Sequence, residues 1–267
     1  MHITFNGQEM ETNCSTVAEL CAYLGKQGDV LIINGYQARA DHRLTEEDVI
    51  TVIAKGVMPA EAELESMMAA RHTPQVHARV KAAAVAVAGL GGLGSNLALM
   101  LARTGVGKLL LVDFDIVEPS NLNRQNYYIS DLGLPKTIAL EQQIKKINPF
   151  IKVQTRTVRV EEANVPELFS GCEVVCEAFD DPGAKAMLVN TILERLPGVK
   201  IVAASGMAGY ASSNLLRTER KMKNLYLCGD FENEARAGNG LMAPRVQICA
   251  GHQANMALRL LLGIEEV

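Results

Sequence analysis

Three glycines, Gly89, Gly91 and Gly94, stand at the spacing G-x-G-x-x-G inside Ala88-Gly-Leu-Gly-Gly-Leu-Gly-Ser-Asn96. A run of small apolar residues, Val85 to Ala88, precedes them, and Leu97 to Ala102 follows with the pattern of a helix. A strand, a tight turn and a helix start, in that order, aim free N–H groups and the positive end of a helix dipole at phosphate. Nineteen residues beyond the last glycine, the apolar strand Lys108 to Val112 ends in Asp113, placed to accept hydrogen bonds from ribose hydroxyls. These residues predict a bound adenosine phosphate. Glycines alone do not separate hydride transfer by a dinucleotide from cleavage of a triphosphate.

The residues after Asp113 make that separation. Asp115, Asn121, Arg124, Gln125 and Lys136 all fall just beyond the strand that carries Asp113. A triphosphate needs several cations and amides around it; an arginine offers a forked contact and a lysine a movable point charge. Hydride transfer uses none of these cations, and Asp113 would repel the extra phosphate of a phosphorylated dinucleotide. A second carboxylate group, Asp180-Asp181, closes the apolar strand Glu173 to Phe179. At the carboxyl edge of a sheet, Asp180 is placed to hold Mg²⁺ and so bridge phosphates. Its other reading is a helix cap ahead of Pro182-Gly183.

The elements that position these residues follow from periodicity. From residue 82 onward strands are predicted at 84–88, 108–113, 151–158, 173–179 and 199–204, with helices near 94–103, 136–147, 183–194 and 246–262. That alternation predicts a doubly wound, Rossmann-like α/β sheet with ligands at the carboxyl ends of its strands. Residues 205–245, rich in Gly, Ser and Asn, read as one long excursion. Residues 1–57 follow a different pattern, with strands around Asn6-Gly7, a helix from Ser15 or Thr16 to Leu24, then strands at 30–33 and 48–53. The ββαββ order predicts a small α+β module of the β-grasp, ubiquitin-like type. Residues 58–81 read as a linking helix, with Pro59 and Glu61, Glu63 and Glu65 at its start and Arg71 near its end. His72 and His77 flank Pro74 and read as surface residues.

Composition narrows the partners. The chain has 267 residues and a formal charge of −4. Residues 1–57 hold 4 Lys or Arg against 8 Asp or Glu, leaving 22 against 22 in the remainder, so the net charge lies in the first module. Without a basic block, and with few aromatics, a nucleic-acid partner is not expected. Neither a membrane span nor the pattern of a signal peptide is present, which predicts a cytoplasmic protein without a membrane partner. The six cysteines (Cys14, Cys21, Cys172, Cys176, Cys228 and Cys249) form no C-x-x-C pair, so no zinc and no disulfide framework are expected. Cys172 and Cys176 read as packing residues on one strand face.

The stretches "GLGGLGS", "DFD…SNLNRQ", "PK" and "FDD" resemble the adenylating domain of the ubiquitin-activating superfamily, in its bacterial ThiF and MoeB branch. The runs "RHTPQVHARVKAA", "LERLPG", "AASGMAGY" and "GLMAPRV" are most similar to its short ThiF-like members, tied to thiamine biosynthesis. The similarity covers about residues 66–263. It implies an enzyme that binds ATP with Mg²⁺ and adenylates the C-terminal carboxylate of a sulfur carrier protein ending in Gly-Gly. By that resemblance Gly89, Gly91, Gly92 and Gly94 line the nucleotide, with Asp115 and Asn121 counted beside them. Asp113 would hold ribose, Arg124, Gln125 and Lys136 the phosphates, and Asp180 the metal. Arg71 is a weaker match to an arginine that reaches into a partner subunit's site, which implies a homodimer.

Two departures qualify the resemblance. Larger relatives carry two zinc-binding cysteine pairs and an acceptor cysteine; here Cys228 stands alone, and Ala235 occupies the acceptor position. Adenylation without a protein thiol intermediate is therefore expected. The first module resembles the sulfur carrier ThiS itself, yet its end, Lys55-Gly56-Val57-Met58, lacks a second glycine and a free carboxylate, and Glu265-Glu266-Val267 supplies neither. It reads as a degenerate carrier that docks, helps build the dimer or regulates access. Two alternatives stand beside the carrier reading: adenylation of a different carboxylate or base, and a non-catalytic nucleotide-binding scaffold.

Overall fold

Each of the two early Asn-Gly pairs sits at a hairpin turn with both residues at positive φ, Asn6 at 47° and Gly7 at 83°, Asn34 at 50° and Gly35 at 91°. That backbone twist matches the twist of paired strands, which is why the pair of residue types marks such turns. The computed structural model describes all 267 residues and divides them into two compact units, Met1–Ala78 and Arg79–Val267.

In the first unit β1 (His2–Phe5) and β2 (Gln8–Glu11) form a hairpin, followed by α1 (Val17–Tyr23), β3 (Val30–Ile33), β4 (Tyr36–Gln37) and β5 (Val49–Ile53). The sheet order is β2-β1-β5-β3-β4, with β1 and β5 parallel and the other pairs antiparallel. Thr16 caps α1 by accepting a hydrogen bond from the Glu19 N–H at 3.3 Å. Val17 and Leu20 of that helix are buried with Ile3, Phe5, Ile33, Leu44, Ile50 and Val52. This is the expected β-grasp module, with the short strand β4 added.

The expected single linking helix is two helices, α2 (Glu61–Ala69) and α3 (Pro74–Ala82). Pro74 explains the break: it has no N–H to donate backward and disfavours helical geometry at the residue before it. Arg71 consequently lies in the turn between the helices, exposed, and the division between units falls inside α3.

The second unit runs β6 (Ala84–Ala88), α4 (Gly92–Thr104), β7 (Lys108–Val112), α5 (Lys136–Ile147), β8 (Lys152–Arg156), α6 (Val165–Phe169), β9 (Val174–Glu177), α7 (Pro182–Arg195), β10 (Lys200–Ala204), β11 (Arg217–Met222), β12 (Leu225–Gly229) and α8 (Ala243–Leu261). The sheet order is β11-β12-β10-β9-β6-β7-β8, parallel except for the edge strand β11. Central strands such as β6 (AVAVA) and β9 are buried nearly throughout, as strands covered on both faces must be. One set of alternate residues, Ala86, Ala88, Val175, Ile201 and Ala203, packs with Phe169, Leu188 and Ile192 from α6 and α7. Helices α4, α5 and α8 pack on one another and on the strands. No helix is long and apolar enough to cross a membrane.

The expected excursion at 205–245 contains β11 and β12. The sequence of β11, Arg-Thr-Glu-Arg-Lys-Met, is polar on both faces because an edge strand has only one strand neighbour, so it carries no alternation to read. Cys172 likewise precedes β9 instead of lying in it, although it does pack against the core.

The chain turns between β6 and β9, where sequential strands diverge to opposite sides, and this switch point is where an open α/β sheet leaves a crevice. The glycines fit the geometry there. A Cβ on Gly94 would lie 1.8 Å from the Gly89 carbonyl oxygen, whereas one on Gly171 would meet nothing within 4 Å. Gly94→Ala is therefore expected to destabilise the protein by about 1–3 kcal/mol net of the gain in helix propensity. Gly171→Ala should stay within about 0.5 kcal/mol of the parent. Urea unfolding midpoints measure both, and equal midpoints would contradict the close approach.

Candidate nucleotide-binding site

The site is built on two turns that touch. Gly89 has φ +88°, and a Cβ there would lie 2.8 Å from the Ala178 carbonyl oxygen and 2.9 Å from the Phe179 ring. The Gly89 N–H donates to the Val112 carbonyl at 2.9 Å and the Ala178 N–H to the Ala88 carbonyl at 2.8 Å. The glycine turn after β6 is thereby locked between the ends of β7 and β9. Gly91, by contrast, opens outward: a Cβ there would have only the Gln125 Nε2 near it, at 3.8 Å. Backbone can approach a phosphate closely at that point, and α4 begins there without a side-chain cap.

Asp113 holds the glycine turn. Its two carboxylate oxygens accept from the Leu90 N–H at 2.6 Å and the Asp115 N–H at 2.8 Å. Burial pushes this carboxyl above its ordinary range, opposed by those two hydrogen bonds and by the Lys136 charge. Tyr127 braces the same turn, its hydroxyl donating to the Leu90 carbonyl at 2.7 Å. Burial beside Asp113 raises the Tyr127 hydroxyl far above its usual value, so it stays protonated as a donor.

Lys136 is the first residue of α5 and is buried, a position where the helix dipole disfavours a cation. Its Nζ lies 2.9 Å from Asp115 Oδ2, and Asp115 is itself half exposed. A buried ammonium at a positive helix end is held by anions, and one of them is already present.

Arg124 arches over the start of α4, its Cγ 3.6 Å from where a Cβ on Gly92 would lie. Its Nη1 donates to the Ser120 carbonyl and to Asn123, while its Nε is buried with no protein partner. The neighbouring Gln125 is also buried, and its Oε1 has no partner either. Two orphaned polar atoms on adjacent residues, whose side chains reach Gly92 and Gly91, are the mark of a polar ligand's place.

Asn121, counted among the nucleotide-lining residues, is buried, and its Oδ1 accepts from the Glu118 N–H at 3.0 Å, closing the 3-10 turn 119–121. Asp180 is exposed and makes no hydrogen bond or ion pair. The cap of α7 is Asp181, whose Oδ1 accepts from the Ala184 N–H at 2.7 Å, which leaves Asp180 free for a ligand. No cluster of three or more His, Cys, Asp or Glu exists that could hold a metal by itself. A magnesium ion at Asp180 would take its other oxygens from phosphates and water, as that ion commonly does. The structure thus brings together the glycine loop, Asp113, Asp115, Lys136, Arg124 and Gln125, whereas Arg71 belongs to the other compact unit.

Four residues that sequence reading passed over tie the Arg124 loop to the glycine helix. Asn96 donates to the Gly92 carbonyl at 2.6 Å and the Arg124 carbonyl at 3.1 Å, and accepts from Asn126 at 2.6 Å. Ser95 Oγ accepts from the Asn126 N–H at 3.0 Å, and Tyr127 adds the bond described above. Only the Ser-Asn pair directly after the glycines hinted at them. Phe114 also stands half exposed beside Asp113, with the Arg159 guanidinium 4.8 Å from its ring centre.

None of the cysteines takes part in the contacts described above. Cys176, Cys228 and Cys249 are buried, and burial pushes the Cys228 thiol up to about 12 despite a contact with Thr218. At pH 8 only about 1 in 10⁴ of such thiols is ionised. Iodoacetamide labelling at pH 8, read by mass spectrometry, should modify Cys228 at least ~100-fold more slowly in the native protein than in urea. Rapid native labelling would contradict a packing role.

The ThiF family profile matches residues 65–267, and the profile described as ThiS-like ubiquitin matches residues 1–56. The adenylyltransferase and sulfurtransferase UBA4 of Yarrowia lipolytica is 29% identical over 192 residues, 67% of this chain and 46% of that protein. A probable molybdopterin-synthase adenylyltransferase of Porphyra purpurea is 29% identical over 194 residues, 71% of this chain and 50% of the relative. The SAMP-activating enzyme E1 of Haloferax volcanii is 35% identical over 130 residues, 48% of this chain and 47% of the relative. This chain spans about half the length of these curated relatives. Among solved structures, the tRNA N6-threonylcarbamoyladenosine dehydratase TcdA of E. coli, in complex with ATP, superposes with a TM-score of 0.69. The identity is 22%, over 78% of this chain and 98% of that one.

Proposed function

Because this chain belongs to the ThiF family and carries a ThiS-like ubiquitin domain ahead of it, we propose that it is an adenylyltransferase acting on a sulfur carrier protein. It transfers AMP from ATP to the C-terminal Gly-Gly carboxylate of a separate carrier and releases pyrophosphate. The observation that carries this reading is the pair of unpartnered buried atoms, Arg124 Nε and Gln125 Oε1, on side chains that reach Gly92 and Gly91 of the glycine turn.

In this reading the free N–H groups at the start of α4 receive phosphate oxygens. Arg124 turns its fork and Lys136 its ammonium toward the same chain of phosphates, supplementing Asp115 as the anion on a dipole-opposed cation. Asp113 keeps the glycine turn in shape and meets the ribose. Asp180 would hold Mg²⁺, which neutralises charge on the departing pyrophosphate. One carrier carboxylate oxygen attacks the α-phosphorus; the bond from that phosphorus to the bridging oxygen breaks, and pyrophosphate takes the electron pair. The protein contributes positioning and fixed charge, and no protein nucleophile. Cys228 is buried, and alanine stands at position 235.

The chain's own β-grasp unit is an accessory here, because at Lys55-Gly56-Val57 the backbone runs on without a free carboxylate. We assign the enzyme to a cytoplasmic homodimer, with Arg71, exposed between α2 and α3, reaching toward the partner's nucleotide. Sulfur transfer toward the thiazole of thiamine is the pathway that fits the short ThiF-like resemblance.

ATP–pyrophosphate exchange tests the proposal, run with Mg²⁺ and ThiS-type carriers ending in Gly-Gly. Exchange should require the free glycine end, and Asp180→Ala or Arg124→Ala should lower it by about 10²–10³-fold. ATP binding without exchange for any carrier would overturn the reading in favour of a scaffold or another acceptor.

A further inference from the structure

Glu177 ends the central strand β9 with its carboxylate wholly buried, between Cys176 and Ala178. Its Oε2 lies 2.5 Å from Lys185 Nζ on the second turn of α7, and its Oε1 accepts from the Phe179 N–H at 2.7 Å. Its own carbonyl accepts from Gln253 Nε2 of α8 at 2.9 Å. The next residue, Ala178, is bonded to Ala88 and pressed against Gly89. On the far side, Asp181 is fixed by its cap on α7 and accepts the Lys185 N–H at its carbonyl at 3.0 Å. Asp180 is the exposed residue between these two anchors.

A buried ion pair is a poor source of stability, since apolar residues of similar volume often do as well or better. What this pair supplies is geometry. It joins the end of β9 to α7 across the short turn that carries Asp180, and that turn in turn touches the glycine loop.

We propose that Glu177 and Lys185 form a positioning latch for Asp180, holding the 178–181 turn so that the Asp180 carboxylate meets the metal of a bound Mg²⁺-nucleotide without rearrangement. The inference rests on the reading of Asp180 as the metal-linked carboxylate. Neither latch residue touches substrate. Their effect belongs in the response to Mg²⁺ and not in nucleotide affinity as such. Residues that orient a metal ligand typically change metal affinity by about 10–100-fold when removed.

The test is calorimetric titration of the full chain with ATP, with and without Mg²⁺. Lys185→Met alone strands a buried carboxylate and is expected to destabilise the domain strongly. The informative variant is Glu177→Gln combined with Lys185→Met, which removes both charges and keeps an acceptor for the Phe179 N–H. That variant should melt within a few degrees of the parent and bind ATP without Mg²⁺ within about twofold of it. Its gain in affinity on adding Mg²⁺ should fall by about tenfold or more. An undiminished gain in the double variant, with Asp180→Ala abolishing it, would overturn the latch while leaving Asp180 in place. An unchanged gain in Asp180→Ala would overturn the metal-linked reading itself, and the latch with it.

Discussion

The contact between the Gly89 turn and the backbone of Ala178 and Phe179 is the constraint on which the rest of the site depends. Two loops that leave adjacent parallel strands in opposite directions meet there with no room for a methyl group. That meeting puts the glycine turn and the Asp180 turn in fixed relation. Side chains serve it from all sides: Asp113 and Tyr127 hold Leu90, Glu177 holds Phe179, and Gln253 holds the end of β9. The sheet supplies a crevice; these bonds turn the crevice into a shaped one.

Charge follows the same arrangement. Three ion pairs hold buried charges, Lys136 with Asp115, Glu177 with Lys185, and Asp230 with Arg245, while the buried Asp113 and Asp131 accept hydrogen bonds from N–H groups instead. Arg245 also donates to the carbonyls of Ala211 and Ser212, so the irregular segments on both sides of β11 and β12 are gathered at the start of α8. Against the burial that would raise it, hydrogen bonds from Asn233 and Glu232 hold the Asp230 carboxyl below its ordinary range, with the Arg245 charge behind them. The side-chain polar atoms left without partners are few, and two of them belong to the adjacent residues Arg124 and Gln125, whose side chains reach Gly92 and Gly91. In a site otherwise so fully bonded, those two point to a ligand.

Much of this is legible from residues alone because its signals are local. The glycine spacing, the Asp113 strand end, the two Asn-Gly turns and the alternating strand pattern each depend on a few neighbouring residues. What escapes such a reading depends on contacts between distant segments. Asn96 reaches Arg124 and Asn126 across the length of α4, β7 and the loop beyond, and Glu177 reads as one polar residue in an apolar strand until Lys185 is placed beside it. The edge strand β11 escapes because a polar edge has no period. Asn121 and Asp181 show the converse: residue type announces a polar role, but only geometry shows that one closes a turn and the other caps a helix.

The central claim is that this crevice joins AMP to a carrier's carboxylate, and the most direct measurement is the intact mass of the carrier after incubation with the protein, ATP and Mg²⁺. The account predicts a carrier heavier by one adenylyl group on its terminal glycine, with none on the chain's own β-grasp unit. A carrier of unchanged mass alongside ATP converted to ADP, or an adenylyl group on the protein itself, would contradict it.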